Sequence, residues 1–364
     1  MPGADELPAP HSPNPPPPPN VENGAALQRL ERELSVPENS PDLLPNIENV
    51  EPVSAPSSPK LAKHLQIHAY LTILSIFGTL ARLGLTALTS YNGAPLGAGT
   101  VIWSNLAGTA AMGFFMEDAR LFGPNRATMP LYTGLTTGFC GSFTSFSSFE
   151  LDTFRFLVGR GPGGNDFMAA AAYVIATMAL ALGGLQFGAH VSHALRKVVR
   201  PLPEREVRVL DWIVVPLAIA CWVAAAVMTV EIPRWRADAL WACVFSPLGA
   251  YARFWISRTL NPTFRSFPVG TFTCNIGGTL VMAGMSIGMG RSGDADACGV
   301  LKGVASGFCG CLTTVSTFVV ELRGLSVQRA YWYAVWSIGV GLAAMLVVLG
   351  GWTWGMGREL VCST

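Results

Sequence analysis

Gly138 to Asp152 reads GFCGSFTSFSSFELD, and from Gly307 the chain says nearly the same thing again, GFCGCLTTVSTFVVEL. Without a gap, Phe139 meets Phe308, Gly141 meets Gly310, Thr144 meets Thr313, Ser147 meets Ser316 and Phe149 meets Phe318. The copies lie 169 residues apart, close to half of a 364-residue chain. Each crowds glycine, serine and threonine among apolar residues. In water such a run makes a poor helix, because glycine carries a high backbone entropy and hydroxyls compete with the helical ladder. In a bilayer it predicts a broken or closely packed helix, whose hydroxyls and loose backbone groups face protein or a pore rather than lipid. The function is expected here.

Working outward, composition sets the class. Half the residues are hydrophobic, 13% are charged and the mean hydropathy is +0.40. Soluble domains carry about 25% charged residues, so the chain reads as a polytopic membrane protein. With 24 basic against 23 acidic residues there is no nucleic-acid footprint. Residues 1–64, with the PNPPPPP run, are expected to be a disordered, Pro-rich cytoplasmic tail. Among the eight cysteines, Cys140, Cys221, Cys243, Cys274 and Cys309 lie in apolar segments and read as small packing residues. Cys309 and Cys311 are spaced C-x-C with no second ligand pair for a metal.

A spanning helix needs about 20 mostly apolar residues. Nine candidates follow, near 67–90, 98–116, 130–157, 167–191, 210–230, 238–259, 267–290, 300–322 and 331–354. The first four and last four match landmark by landmark. Gly78 to Arg82 corresponds to Gly249 to Arg253, Asn105-x-x-Gly108-Thr109 to Asn275-x-x-Gly278-Thr279, and Tyr173-x-x-x-Thr177 to Tyr333-x-x-x-Ser337. The expected architecture is all-α, with two inverted four-helix repeats (65–195 and 232–356) joined by a basic loop and linker helix (196–231), and a short tail at 357–364.

Basic loops face the cytoplasm. Arg196, Lys197, Arg200, Arg205 and Arg208 mark one such loop, and Lys60 and Lys63 agree with it. This puts the N-terminus inside and the C-terminus outside. The lone fifth helix then inverts the second repeat, and Arg258 and Arg265 fall inside.

Asn105 and Asn275 each sit deep in an apolar helix, where an amide needs partners. An asparagine amide offers two N–H donors, which suits an anion. Phe146, Phe149 and Phe318 recur at one-turn spacing beside Ser147, Ser148, Ser316 and Thr317. A phenyl ring has a positive edge. Such edges beside hydroxyls can stabilise an unhydrated anion, although rings at this spacing usually pack a core. The second copy has Val315 where the first has Phe146, so the halves are unequal. Arg82 and Arg253 read as structural, either snorkelling or binding backbone carbonyls. Glu150, Asp152 and Glu321 are placed toward helix ends, in contact with water.

These motifs together resemble the Fluc/CrcB fluoride channels. Two inverted copies in one chain look like the eukaryotic fluoride exporter branch. The resemblance covers about 67–354. It implies two narrow pores in an antiparallel pseudo-dimer made by a monomer, through which fluoride leaves passively across a plasma membrane and confers fluoride resistance. It implies pore groups at Asn105, Asn275, Thr271, Tyr173, Thr177, Tyr333 and Ser337, besides the phenylalanines and hydroxyls already named. It also implies a structural sodium ion on the carbonyls of Gly141, Thr144, Gly310 and Thr313. In this family each pore takes the first ring of one unit and the second ring of the other. Phe146 with Phe318 would complete one pore, and Val315 would leave the other short. Gly99-Thr100 stands one residue too far from Asn105, and Ala181 and Gly341 stand where hydroxyls are expected. A proton-coupled transporter is the competing reading and needs a mid-membrane carboxylate. An intramembrane protease would need a Ser–His pair, and His64, His68, His190 and His193 lie at helix ends or in loops. No enzyme is expected.

Overall fold

The computed structural model describes residues 58–123, 125–159, 166–264, 266–356 and 362, which are helical with no strand among them. The expected tail at 1–64 lies outside the described residues up to position 57, as does Arg265.

Eleven helical segments carry the architecture. They are α1 (Ser58–Leu88), α2 (Ile102–Glu117), α3 (130–143), α4 (Phe146–Val158), α5 (Asp166–Leu195), α6 (Glu204–Glu231), α7 (Trp241–Leu260), α8 (Val269–Arg291), α9 (295–312), α10 (Ser316–Gly324) and α11 (Val327–Met345). Within α3 the stretch Gly134–Cys140 is wound as a π-helix, and so is Val304–Cys309 within α9. Arg205 and Arg208 belong to the first turns of α6 rather than to the loop before it.

Among the described residues, six helices are long and apolar enough to cross a membrane: Leu61–Leu88, Phe167–Leu195, Arg205–Glu231, Val269–Arg291, Ala295–Gly324 and Val327–Gly355. The other three expected spans fall short of that measure. α2 has only 16 residues; the third span, broken at Thr144 as Ala295–Gly324 is at Thr313, and α7, with Arg253 and Arg258, are not apolar enough.

The long helices approach one another through glycine. A methyl on Gly113 would overlap the Leu185 carbonyl, and one on Gly188 the Ala110 carbonyl, so α2 and α5 touch backbone to backbone. This is how helices associate in lipid, where burial of apolar area supplies little drive. Close approaches recur in matched pairs. Gly78 lies against the Phe139 carbonyl and Gly249 against the Phe308 carbonyl; Gly108 lies against the Thr144 methyl and Gly278 against the Thr313 methyl.

Candidate functional site

The two glycine-rich stretches meet at mid-structure, and both break there. Thr144 (φ −93°, ψ 155°) and Thr313 (φ −97°, ψ 153°) are extended, ending α3 and α9. The broken ends are capped across the pair. Thr144 Oγ1 accepts the N–H groups of Val315 (3.2 Å) and Ser316 (3.1 Å), and Thr313 Oγ1 accepts that of Ser147 (3.0 Å). Each threonine thus satisfies donors at the start of the other copy's second helix, an N-cap supplied from a distance.

Ser147 Oγ lies 3.0 Å from Thr313 Oγ1, and Ser316 Oγ 3.2 Å from Thr144 Oγ1, so both sit in the crossing. Ser148 hydrogen-bonds Ser145 Oγ (2.9 Å) and borders a cleft of about 240 Å³ shared with Arg82, Asp152, Arg155 and Lys302. The Thr317 N–H points to Thr314 Oγ1 (3.4 Å).

The asparagines hold the breaks open, but not equally. Asn105 Oδ1 accepts the Ser145 N–H (3.0 Å), and its buried Nδ2 has no partner. Asn275 Oδ1 accepts the Thr314 N–H (2.9 Å), while its Nδ2 donates to the Thr314 carbonyl (3.3 Å). Free N–H donors therefore lie at Asn105.

The same diversion bears on sodium. In an unbroken helix the carbonyls of Gly141 and Gly310 would accept from Ser145 and Thr314, whose N–H groups go to the asparagines instead. Those of Thr144 and Thr313 would accept from Ser148 and Thr317, whose N–H groups go to Ser145 Oγ (3.2 Å) and Thr314 Oγ1. All four carbonyls have lost their helical donor. Buried oxygens of this kind fit a hard cation.

Arg82 and Arg253 are each 2% exposed, so neither snorkels. Arg82 Nη2 donates to the Ser306 carbonyl (2.6 Å), and Arg253 to the carbonyls of Cys311 and Thr137 (2.7 Å each). The guanidinium groups lie against Gly310 and Gly141, where any side chain would overlap them. Bonds from charged donors contribute about 1.5–3 kcal/mol each. Arg253→Met is therefore expected to lower the melting temperature in detergent by roughly 8 °C, at 2–4 °C per kcal/mol for a protein of this size. Arg253→Lys, which retains one charged donor, should recover part of that fall.

The rings gather in one buried cluster. Phe146 meets Phe318 edge-to-face at 5.6 Å (76°), and Phe318 meets Tyr333 the same way at 5.0 Å (65°). In the other half Phe149 stacks on Tyr173 at 5.9 Å (28°), and Val315 stands where a ring would be. The hydroxyls of Thr177 and Ser337 are buried without partners.

At one end of the Phe318 side a carboxylate gathers polar groups. Glu321 accepts from Thr271 Oγ1 (2.6 Å), Tyr333 OH (2.8 Å) and Asn261 Nδ2 (3.2 Å). On the other side Asp152 takes the Tyr173 OH (3.2 Å), the Val101 N–H (3.1 Å) and Arg155 (3.3 Å). The extra residue between Thr100 and Asn105 has its effect here. Thr100 Oγ1 bonds the Leu96 and Gly97 carbonyls (3.2 Å each), and a backbone N–H stands in for the hydroxyl that Thr271 supplies.

The placing of the three carboxylates at helix ends in water is corrected by the structure: Glu150 is 0%, Asp152 5% and Glu321 6% exposed. Glu321 and Asp152 went unrecognised as site residues, although each stands three residues after its copy's second phenylalanine. Asn261 offered no signal. The arrangement as a whole presents unpaired hydroxyls, ring edges and free amide donors in a dry setting. It suits a small anion stripped of water.

A disulfide joins Cys298 to Cys362. The other six cysteines are free, five of them buried.

Comparison with known proteins follows the same halves. The sequence model of the family described as CrcB-like protein, Camphor Resistance (CrcB), matches residues 69–189 and again 240–351. The chain is 41% identical over 370 residues to fluoride export protein 1 of Neurospora crassa, covering 83% of this chain and 70% of that protein. It is 34% identical to fluoride export protein 1 of Candida albicans, covering 78% of this chain and 79% of the relative. A fluoride-specific ion channel FluC of Acinetobacter baylyi is 36% identical over 105 residues, 28% of this chain and 82% of that one. No solved structure gives a significant match.

Proposed function

The chain belongs to the CrcB-like family, and on that premise we propose that it is a fluoride channel with one working pore, through which cytoplasmic fluoride leaves passively. One observation carries the single-pore reading. Phe146 meets Phe318 edge-to-face, whereas the second copy has Val315 in the place of Phe146 and so offers Phe149 no matching ring. The working path uses the free amide donors of Asn105, the two ring edges, Ser337, Tyr333 and Thr271. Thr177 and Tyr173 belong to the pore that Val315 leaves incomplete, and Asn275 to the scaffold that holds its break.

In this reading nine helices span the membrane, and the two matched segments are inverted repeats. The monomer is then its own antiparallel pair, with α6 as the odd helix that reverses the second half. The carbonyls of Gly141, Thr144, Gly310 and Thr313 would hold a sodium ion, which would supply a fixed positive charge. Ser147, Ser316, Thr144 and Thr313 lock the halves around it. No energy source beyond the potential is required. Hydrogen fluoride enters as a neutral weak acid, ionises inside, and the anion is driven out by about 2.3 kcal/mol per 100 mV.

The orientation has support from the disulfide. Basic loops put the C-terminus and the loop before Cys298 on the outer face of a plasma membrane, where disulfides persist. A membrane-impermeant thiol reagent on intact cells is therefore expected to label Cys298 and Cys362 only after reduction. Labelling of either without reduction contradicts the bond, and no labelling after it contradicts the orientation.

The function itself is tested with purified protein in liposomes, by following fluoride with an electrode and chloride as control. Fast fluoride efflux that follows an imposed voltage is expected. Glu150, a buried carboxyl at membrane depth, is the observation that favours the second reading, a proton-coupled carrier. A carrier's flux would follow an imposed proton gradient at fixed voltage, and that result would replace the channel reading.

A further inference from the structure

Glu150 is a buried polar group that neither the helix breaks nor the arginine contacts use. It lies one turn beyond Phe146 on α4, is wholly buried, and neither carboxyl oxygen has a hydrogen-bond partner. Its carboxyl reaches α11, because a methyl on Gly341 would stand 2.9 Å from Oε1 and 3.0 Å from the carboxyl carbon. Gly341 follows Ser337 and Tyr333 along α11, and Ser337 Oγ is itself unpartnered. α4, α8 and α11 pack together just beyond this point through Leu151 and Phe154, Met282 and Ala283, and Met345. On α8, Thr279 adds another buried, unpartnered hydroxyl. At the matching place in the other half stand Val319 and Ala181, both buried in an apolar cluster.

A carboxyl at this depth without a donor is costly as an ion. As a carboxylic acid it carries one O–H donor, for which the protein supplies no acceptor. Where α11 lacks a hydroxyl, a group from the opposite half fills the gap. We propose that Glu150, in its protonated form, is a fluoride-binding group of the working pore, donating its O–H to the passing anion in place of the hydroxyl missing at Gly341. The inference rests on the single-pore reading and adds to it a site built from both halves of the chain.

The test compares efflux from liposomes holding the full chain, with melting temperatures to verify folding. Glu150→Val, which copies the other half, is expected to slow fluoride at least tenfold. Glu150→Gln, a neutral donor of similar shape, should stay within about threefold of the parent, the scale of a modest change in one hydrogen bond. Adding Gly341→Ser to Glu150→Val should restore flux, since the hydroxyl returns on α11; a purely structural glutamate would not be rescued in this way. Parental flux in Glu150→Val overturns the proposal, and so does Glu150→Gln as slow as Glu150→Val. If Glu150→Val does not fold, Gly341→Ala takes its place, as the methyl displaces the carboxyl; slowed efflux supports the role and parental efflux overturns it. Phe146→Val is run alongside. If it slows flux while Glu150→Val does not, only the role of Glu150 falls; if neither slows flux, the single-pore reading falls with it.

Discussion

Phe146→Val is expected to cut fluoride efflux at least tenfold, while Phe149→Val leaves it within about twofold of the parent. The two rings belong to one buried cluster and neither is exposed. Each exchange removes a similar volume from a close-packed site, so packing alone would lower stability by similar amounts. What separates them is the partner from the other copy. Phe146 meets Phe149 edge-to-face and also Phe318, which in turn meets Tyr333 edge-to-face, whereas Phe149 adds a stack on Tyr173 and no ring from the second copy. Losing about 1.4 kcal/mol of stabilisation at the narrowest point of a path slows passage about tenfold, which is within the range of one ring-edge interaction. Equal melting temperatures with unequal efflux are the expected pair of results. A Phe146→Val protein that exports fluoride at the parental rate would sink the single-pore reading, and equal losses in both variants would point to packing instead.

Much of this site was legible because bilayer chemistry makes certain residues expensive. Glycines and hydroxyls crowded into an apolar stretch, twice, have few explanations other than a helix break packed against another, and both breaks fall inside the quoted stretches at Thr144 and Thr313. Asn105 and Asn275 were legible for the same reason, since each is spent on the amide that the break releases. What spacing cannot show is a partner across the molecule. The capping of Ser147 by Thr313 and of Ser316 by Thr144 depends on two stretches crossing at one point. Within the expected span 130–157, residue 150 stands near the end, and spacing alone does not say where a break in it falls. The break restarts the helix at Phe146, so Glu150 is one turn from mid-structure.

Asn105→Asp carries the second large effect, expected to be a loss of fluoride efflux of at least a hundredfold in protein that still folds. The two asparagines look alike in the sequence, and the hydrogen bonds tell them apart. Asn105 Oδ1 accepts the Ser145 N–H, a bond that an aspartate oxygen of the same shape preserves, and its Nδ2 is buried and unpartnered. The substitution exchanges two free donors for a second acceptor oxygen next to the residue preceding Phe146. Unlike Glu150, whose oxygens have no donor, an aspartate here keeps the Ser145 N–H, which favours its charged form. Ionised about 4 Å from a fluoride, it opposes the anion by about 4 kcal/mol at an effective dielectric constant of about 20, about three decades in rate. Asn275→Asp sets a carboxylate oxygen against the Thr314 carbonyl, to which Nδ2 now donates at 3.3 Å. Its expected result is therefore a lower melting temperature rather than a selective loss of flux. Efflux by electrode and melting temperature, measured on both variants, separate the two roles. Parental efflux from well-folded Asn105→Asp would remove Asn105 from the path, and full loss in Asn275→Asp without loss of stability would move the path to the other half of the chain.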